Sequence, residues 1–204
     1  MNTNTLNKAA AICLAIVLLS GCSQSVESID MPEAVISAAT EDLCIYPENR
    51  TEQEDSVIEK ELEKNLLLLP AWCREKLSEE EWSLVYTEEC IEDLFENAEG
   101  AGAATDTEKR VIFIERGSLH LMMHEIVHAC FYDADSGSNK VIKYEGIEEE
   151  MKESGLDPYY TSSYGEYITE CTASYLKGSL NQEALPLTTM TVEEMLAGDT
   201  WMNN

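Results

Sequence analysis

The sequence predicts an α+β fold, in which a mainly helical single domain carries a small sheet. Five or six segments have helical periodicity, whereas only two short runs alternate and are rich in β-forming residues. Two strands among this many helices indicate the α+β class. Apolar residues make up 44% of the 204 residues, which is enough for a hydrophobic core in one ordinary domain.

Residues 1–22 are typical of an export signal. Lys8 gives the segment a basic start, and residues 9–19 form an apolar run that is too short to span a bilayer, which needs about 20 residues. Leu19-Ser20-Gly21-Cys22 resembles the bacterial lipoprotein cleavage box. The resemblance implies that Cys22 becomes the lipidated first residue and holds the mature protein on the extracytoplasmic face of the cell membrane. The alternative is a plain secretory signal in which Cys22 only follows the cut.

Local signals predict the remaining elements in chain order. Residues 23–55 are polar and aperiodic, which predicts a flexible acidic tether to a domain at 56–204. Helices are predicted at 56–68, 71–81, 88–98, 119–132, 144–154 and 164–177, with a short one at 191–197. Strands are predicted at 82–87 and 110–115, and loops at 99–107 and 133–140. Pro70 precedes the second helix, Ser118 can cap the helix at 119–132, and Gly178 ends the helix at 164–177.

The charge balance is strongly acidic, since 13 basic and 40 acidic residues give a net charge of −27. Such a surface repels phosphate backbones, which argues against a nucleic-acid partner. It would concentrate cations and basic peptides within about 10 Å of the protein. The alternative is a solvated acidic coat that only keeps an exported protein soluble.

Seven cysteines are present, and their spacing disfavours a cysteine-ligated zinc site because no CxxC pair occurs. Cys13 lies inside the signal and Cys22 at its end, which leaves five cysteines, an odd number, in the rest of the chain. Cys130 and Cys171 lie near the two motifs described next. They either face each other or are small buried hydrophobic residues.

An HExxH motif, His124-Glu125-Ile126-Val127-His128, lies in the helix predicted at 119–132. Residues four apart on an α-helix differ by about 40° in azimuth, so the two imidazoles can supply two ligands of an open zinc site. Glu125 lies about 100° round from His124, where it can take a proton from a zinc-activated water. Most other residues of this helix are apolar, so its polar side chains must face partners, water or a metal. The alternative is a polar patch with satisfied hydrogen bonds.

A third protein ligand must be a carboxylate, because the only other histidine, His120, lies one turn too far along the same helix. Glu166 and Glu170 are four residues apart on the helix predicted at 164–177, and they share a face. One can bind zinc while the other accepts the ring N–H of a liganding histidine. Ser163 and Glu166 also match a capping box, and if Glu166 only closes the start of the helix, Glu170 becomes the ligand.

HEIVH, 37 intervening residues and EYITECTASYL together resemble the anthrax-lethal-factor-like zinc metallopeptidases and the related Pro-Pro endopeptidases. The upstream order of helix, LLLLP, strand, small-residue loop and second strand is also similar, so the resemblance covers 56–190. It implies a zincin-like fold in which the HExxH helix packs against the second, glutamate-bearing helix. It also implies one zinc ion bound by His124, His128 and Glu166. The resemblance makes Glu125 the general base and places the carboxylate of Glu170 behind a liganding histidine.

The same resemblance implies a tyrosine that stabilises the oxyanion, seven residues before the ligand glutamate. This spacing selects Tyr159, whereas the local Ser-Tyr-Gly sequence selects Tyr164, and Tyr160 is adjacent to the first candidate. A phenol that donates to a developing alkoxide lowers the barrier to its formation. The alternative for each tyrosine is a packing role.

The sequence therefore predicts a membrane-anchored, extracellular zinc endopeptidase that acts on a peptide or protein. Its cleft is expected between the HExxH helix and an edge strand, for which 110–115 is the candidate, so that an extended substrate can add to the sheet. The alternative is a non-catalytic, metal-binding surface lipoprotein that acts as an interaction module.

Overall fold

The architecture of the computed structural model is mixed α+β, as predicted, and about half of the described residues are helical. The structure describes residues 44–45, 52–95, 98 and 100–198. The helices are α1 (Glu52–Leu68), α2 (Ala71–Glu79), α3 (Ile91–Leu94), α4 (Met122–Phe131), α5 (Ile147–Glu153), α6 (Tyr164–Leu176) and α7 (Pro186–Ala197). The strands are β1 (Cys44–Ile45), β2 (Ser83–Thr87), β3 (Ala103–Asp106), β4 (Val111–Glu115), β5 (Tyr132–Asp133) and β6 (Ser138–Asn139).

The larger sheet has the strand order β1-β2-β4-β3 among the described residues. β1, β2 and β4 run parallel, whereas β3 runs antiparallel to β4 and pairs Thr105 with Ile112. Leu84, Ile112 and Ile114 are buried and alternate with partly exposed neighbours, which is the pattern that predicted strands in these two places. One face of the sheet therefore contributes to the core.

β3 occupies the edge of this sheet, and this corrects two expectations. The segment 99–107 was expected to be a loop, and the strand at 110–115 was expected to be the edge. The sequence Ala-Ala-Thr-Asp has little β-propensity of its own, so its strand form depends on hydrogen bonds to the apolar strand β4. Just before β3, Gly102 permits the close approach of the Ser118 side chain, with which a Cβ at this position would collide.

The N-terminal boundary of the folded part also differs from the expectation. α1 begins at Glu52, and β1 at Cys44–Ile45 pairs with β2, although both fall within the segment 23–55 that was interpreted as a tether. The interpretation of residues 1–22 as a signal, and of Cys22 as its lipidated end, lies outside the described residues. None of the helices in the described part of the chain combines the length and the apolar character that crossing a lipid bilayer requires.

Two further segments contain more regular structure than their sequences predict. The expected loop at 133–140 contains the short antiparallel hairpin β5–β6, which pairs Tyr132 with Asn139. α7 begins at Pro186 rather than at 191, and proline suits the first turn of a helix. Three threonines in its first half, a residue of low helix propensity, obscured the helical pattern. In the structure, Thr189 and Thr191 donate to carbonyls one turn earlier.

The helix α4 forms the centre of the core, and nine of its ten residues are buried. It packs against β3 and β4 on one side and against α6 on another, while α1 and α2 also contact it. The apolar residues all round this helix, including Met122, Met123 and Ile126, are the reason why it lies inside the domain. Any polar side chain on α4 is consequently held in a largely dry environment.

Of the two possibilities for Cys130 and Cys171, the structure supports that of small buried hydrophobic residues. Cys130 on α4 lies beside Cys73 on α2, whereas Cys171 lies beside Tyr167 on its own helix. All three are free thiols in the interior. They fill space as small hydrophobic residues, which was the alternative interpretation for Cys130 and Cys171. Burial, followed by the contact with Cys130, raises the pKa of Cys73 and keeps it a neutral thiol.

Candidate metal centre

The two histidines of the HExxH motif point in the same direction from α4. His124 Nε2 and His128 Nε2 lie 3.1 Å apart, and the two rings meet at 72°. His124 is only 4% exposed. Two imidazole nitrogens this close in a buried helix repel each other unless a proton or a cation lies between them.

A carboxylate from α6 meets the same point. Ser163 accepts a hydrogen bond of 3.1 Å from the Glu166 backbone N–H and so caps this helix. The Glu166 side chain extends to the histidines, with Oε2 at 3.1 Å from His124 Nε2 and 3.4 Å from His128 Nε2. Ser163 is therefore the cap, while Glu166 completes a group of three potential metal ligands with the histidines.

The three atoms have the spacing of tetrahedral zinc ligands. Zinc bonds of about 2.0–2.1 Å at tetrahedral angles place ligand atoms about 3.3–3.4 Å apart. The distances among His124 Nε2, His128 Nε2 and Glu166 Oε2 are 3.1, 3.1 and 3.4 Å. Two imidazoles and one carboxylate also form a donor set that open zinc sites use. The residues present thus fit a zinc ion.

The electrostatics of this group favour a positive charge at the centre. Burial alone would lower the pKa of His124, but hydrogen bonds to Glu166 and Glu170 outweigh it and raise the pKa to about 9. Burial alone would raise the pKa of Glu166, whereas its hydrogen bonds with His124 and His128 hold it well below its usual range. The site among His124, His128 and Glu166 therefore favours a cation, and in the metal-free protein a proton on His124 supplies that positive charge.

Glu170 lies behind His124, one turn further along α6. Its Oε2 is 3.0 Å from His124 Nδ1, and Ser174 Oγ donates to its Oε1 at 3.3 Å. A carboxylate at the outer nitrogen of a histidine orients the ring and leaves the inner nitrogen free for a metal. The structure thus separates the two glutamates that the sequence left as alternatives, with Glu166 at the centre and Glu170 behind it.

Glu125 is buried beside the centre and is held by the edge strand. It is 7% exposed, and Thr105 Oγ1 on β3 donates to its Oε2 at 2.7 Å. This contact leaves the other carboxylate oxygen available to a water or a substrate. Sequence reasoning missed Thr105, because the strand that carries it was assigned to a loop.

Asn139 is a second residue that the sequence did not reveal. Its amide nitrogen lies 2.8 Å from His128 Nδ1, and Thr169 Oγ1 lies 3.4 Å from the same ring nitrogen. Asn139 comes from the hairpin β5–β6, whose segment was expected to be a loop. The only available hint was chemical, since a liganding histidine needs a partner for its outer nitrogen.

The candidate tyrosines fall into two groups. The Tyr160 ring lies 5.3 Å from the His124 ring, and Tyr159 packs edge-on against Tyr160. Tyr159 is 55% exposed, and its partial burial, followed by the charges of Glu166 and Glu125, raises its pKa to about 12, so its hydroxyl keeps its proton at neutral pH.

Tyr164, the other candidate, has different surroundings. Its hydroxyl donates to the backbone carbonyl of Ile142, and Lys143 Nζ lies 5.2 Å from its ring centre. As the first residue of α6, Tyr164 leaves the helix on the side that packs against this loop. Its hydroxyl is thereby committed to a structural contact.

These features define the class of molecule: a mixed α+β fold in which an HExxH helix faces a glutamate-bearing helix across a candidate metal centre. No protein-family model matches the sequence, and no curated protein does. Among solved structures, that of the Pro-Pro endopeptidase PPEP-2 from Paenibacillus alvei is similar, with a TM-score of 0.55 and 16% identity. The match covers 77% of this chain and 99% of that one. At this identity the likeness establishes a shared fold.

Proposed function

We propose that this protein is a zinc-dependent endopeptidase. The observation that carries the proposal is the convergence of His124, His128 and Glu166 at zinc-ligand spacing, with the buried carboxylate of Glu125 beside them. The name of the structural neighbour, a Pro-Pro endopeptidase, supports the same reaction class. The fold alone could host other activities, so the proposal depends on the site.

The residues around the centre can divide the work of peptide hydrolysis. Zinc held by the three ligands would polarise the scissile carbonyl and make water a better nucleophile. Glu125 takes a proton from the attacking water and returns it to the leaving nitrogen, as a general base and then a general acid. Thr105 holds one oxygen of Glu125, so that the other remains directed at the reacting atoms.

Tyr159 is the proposed donor to the oxyanion. Its raised pKa of about 12 keeps the hydroxyl protonated, which is the state that can donate a hydrogen bond. Its hydroxyl experiences the charges of Glu166 and Glu125, whereas for Tyr160 the largest carboxylate influence is Glu170, behind His124. Tyr159 is also 55% exposed, whereas Tyr160 is only partly exposed, so Tyr159 is the more accessible of the two to a bound substrate.

The peptide is proposed to bind along β3. This strand is the edge of the larger sheet in the described part of the chain, and its Thr105 contacts the proposed base. An extended peptide can pair with the free edge and bring one carbonyl to the centre. Binding of this kind recognises the backbone of the peptide rather than its side chains, which suits an endopeptidase.

The cellular setting is proposed from the sequence alone. The cleavage-box residues before Cys22 support lipidation of that cysteine and an extracytoplasmic position on the cell membrane. Metabolic labelling with a palmitate analogue tests this. Labelled native protein and unlabelled C22A protein are expected, whereas equal labelling of both would contradict the assignment.

The proposed function is tested by metal analysis of the purified chain and cleavage of a peptide library. We expect about one zinc per chain and hydrolysis that E125Q reduces by about 10²–10⁴-fold without loss of zinc. The variant E108Q, which changes an exposed glutamate in the β3–β4 turn, is the matched control and should cleave normally. Zinc-loaded native protein that cleaves no peptide would instead favour a non-catalytic, metal-binding lipoprotein.

A further inference from the structure

The two ring nitrogens of His128 face different surroundings. Nε2 points to the centre, at 3.1 Å from His124 Nε2 and 3.4 Å from Glu166 Oε2. Nδ1 points outward, at 2.8 Å from the amide nitrogen of Asn139. His128 therefore has one nitrogen for a metal and one for the hairpin β5–β6.

A neutral imidazole carries a single N–H, which decides what the outer partner must be. If Nε2 gives its lone pair to zinc, Nδ1 holds the proton and needs an acceptor. Thr169 Oγ1 lies 3.4 Å from Nδ1, longer than the usual range for such a bond, whereas the Asn139 amide lies within it. Asn139 is thus a better hydrogen-bond partner for His128 Nδ1 than Thr169 is.

An asparagine amide can serve either tautomer of the ring. Its Nδ2 donates when Nδ1 has a lone pair, and after a half-turn of the amide its Oδ1 accepts when Nδ1 carries a proton. The half-turn exchanges two atoms of similar size and needs no other movement. A carboxylate, such as Glu170 behind His124, has no donor to offer in its ionised state.

The hairpin holds Asn139 firmly against the last turn of α4. β5 begins immediately after α4 and pairs Tyr132 with Asn139, while the Lys140 backbone N–H donates to the Phe131 carbonyl at 2.9 Å. Gly137 in the turn has a φ of 65°, a conformation that glycine adopts without strain. The chain is thereby folded back over the helix end that carries His128.

We propose that Asn139 is a positioning residue that sets the orientation and tautomer of His128 for metal binding. The proposal rests on the zinc site of the proposed function, but it concerns metal affinity and not cleavage. The hairpin β5–β6 then supplies a hydrogen-bond partner for the outer nitrogen of His128, as Glu170 does for the outer nitrogen of His124. Each histidine then has one outer hydrogen-bond partner from a different element, α6 for His124 and the hairpin for His128.

The zinc affinity of the full chain tests this, measured by competition with a chromogenic chelator. N139L removes both hydrogen-bonding atoms at similar size, and we expect its zinc dissociation constant to rise about 10–100-fold. N139D keeps an acceptor and adds charge, so it should bind zinc at least as tightly as the native chain. S138A, next to it in the same hairpin, is the matched control and should bind zinc normally.

Two results would overturn the proposal: native-like zinc affinity in N139L, or an N139D variant as weak as N139L. T169V separates the two neighbours of Nδ1, since a larger loss in T169V than in N139L assigns the role to Thr169 instead. If leucine does not fit the hairpin, as melting of the metal-free protein would reveal, N139A takes its place. Normal zinc binding by a native chain that cleaves nothing would refute the peptidase and leave the role of Asn139 intact.

Discussion

Two partly buried carboxylate sites involve the helix α6, and similar chemical groups serve different purposes in them. On one side, Glu166 meets two histidine nitrogens that are also close to each other. On the other side, Glu150 of α5 accepts bonds of 2.8 Å from Leu187 N, Thr188 N and Thr188 Oγ1, which caps α7. Tyr167 of α6 joins this second network at 2.8 Å from Thr188 Oγ1.

The difference lies in how donors and acceptors balance. Around Glu150 each acceptor has its own donor, so the network is complete and fixes α5, α6 and α7 in place. At the metal centre, three lone-pair-bearing atoms converge on one point, and only a proton or a cation can satisfy them together. A complete network indicates structure, whereas converging acceptors indicate a ligand.

The largest expected effect comes from removing one ligand at the incomplete site. H128A should weaken zinc binding on the order of 10³-fold, because it removes one of three protein donors. The free energy of unfolding of the metal-free protein should change by less than about 1 kcal/mol, since the protonated His124 keeps its hydrogen bonds to Glu166 and Glu170 without His128. Chelator competition and urea unfolding measure the two quantities. A large loss of metal-free stability with normal zinc affinity would make the histidine structural.

E150A is the converse experiment at the complete site. It removes three hydrogen bonds to a carboxylate and leaves buried Thr188 groups unsatisfied, so the free energy of unfolding should fall by about 3 kcal/mol. Zinc affinity of the folded variant should match that of the native chain. E149A, on the exposed face of α5, is the control. A larger effect of E150A on zinc affinity than on the free energy of unfolding would contradict the assignment of Glu150 to a structural network.

The pH dependence of zinc binding sharpens the same contrast. With its pKa raised to about 9, His124 holds a proton in the metal-free protein at neutral pH and must lose it to bind zinc. The carboxylate of Glu166, whose pKa is lowered, stays ionised throughout. The zinc dissociation constant should therefore fall about tenfold per unit between about pH 6 and 8. Calorimetry in buffers of different ionisation enthalpy should register release of about one proton per zinc. A flat affinity over this range would contradict the inferred protonation.

The smallest effect is expected at the contact between the edge strand and the base. T105V keeps the shape of Thr105 but removes the hydrogen bond to Glu125, which should lower kcat by about 3–10-fold, or about 1 kcal/mol. KM and zinc content should be unchanged, and T105S should restore kcat because it retains the hydroxyl. An equal loss in T105S and T105V would indicate packing, not the hydrogen bond.

The sequence predicted what depends on neighbouring residues in the chain. The spacing of His124 and His128 suffices to place both on one face of a helix, and the α+β class is confirmed. Glu166 and Glu170 were identified together, but their order at the centre depends on how α6 packs against α4. Thr105 and Asn139 were missed because their contacts are tertiary, and β3 was missed because its small residues become a strand only beside β4.

The three potential ligands come from only two helices, α4 and α6, and the 37 residues between His128 and Glu166 form a long connection. A shared ion would act as a cross-link across that connection. For a closed loop of this size, chain entropy alone gives about 4 kcal/mol, similar to a disulfide of the same span. Chelation should therefore expose the 133–163 segment to limited proteolysis, because removal of the metal would free this connection from the constraint.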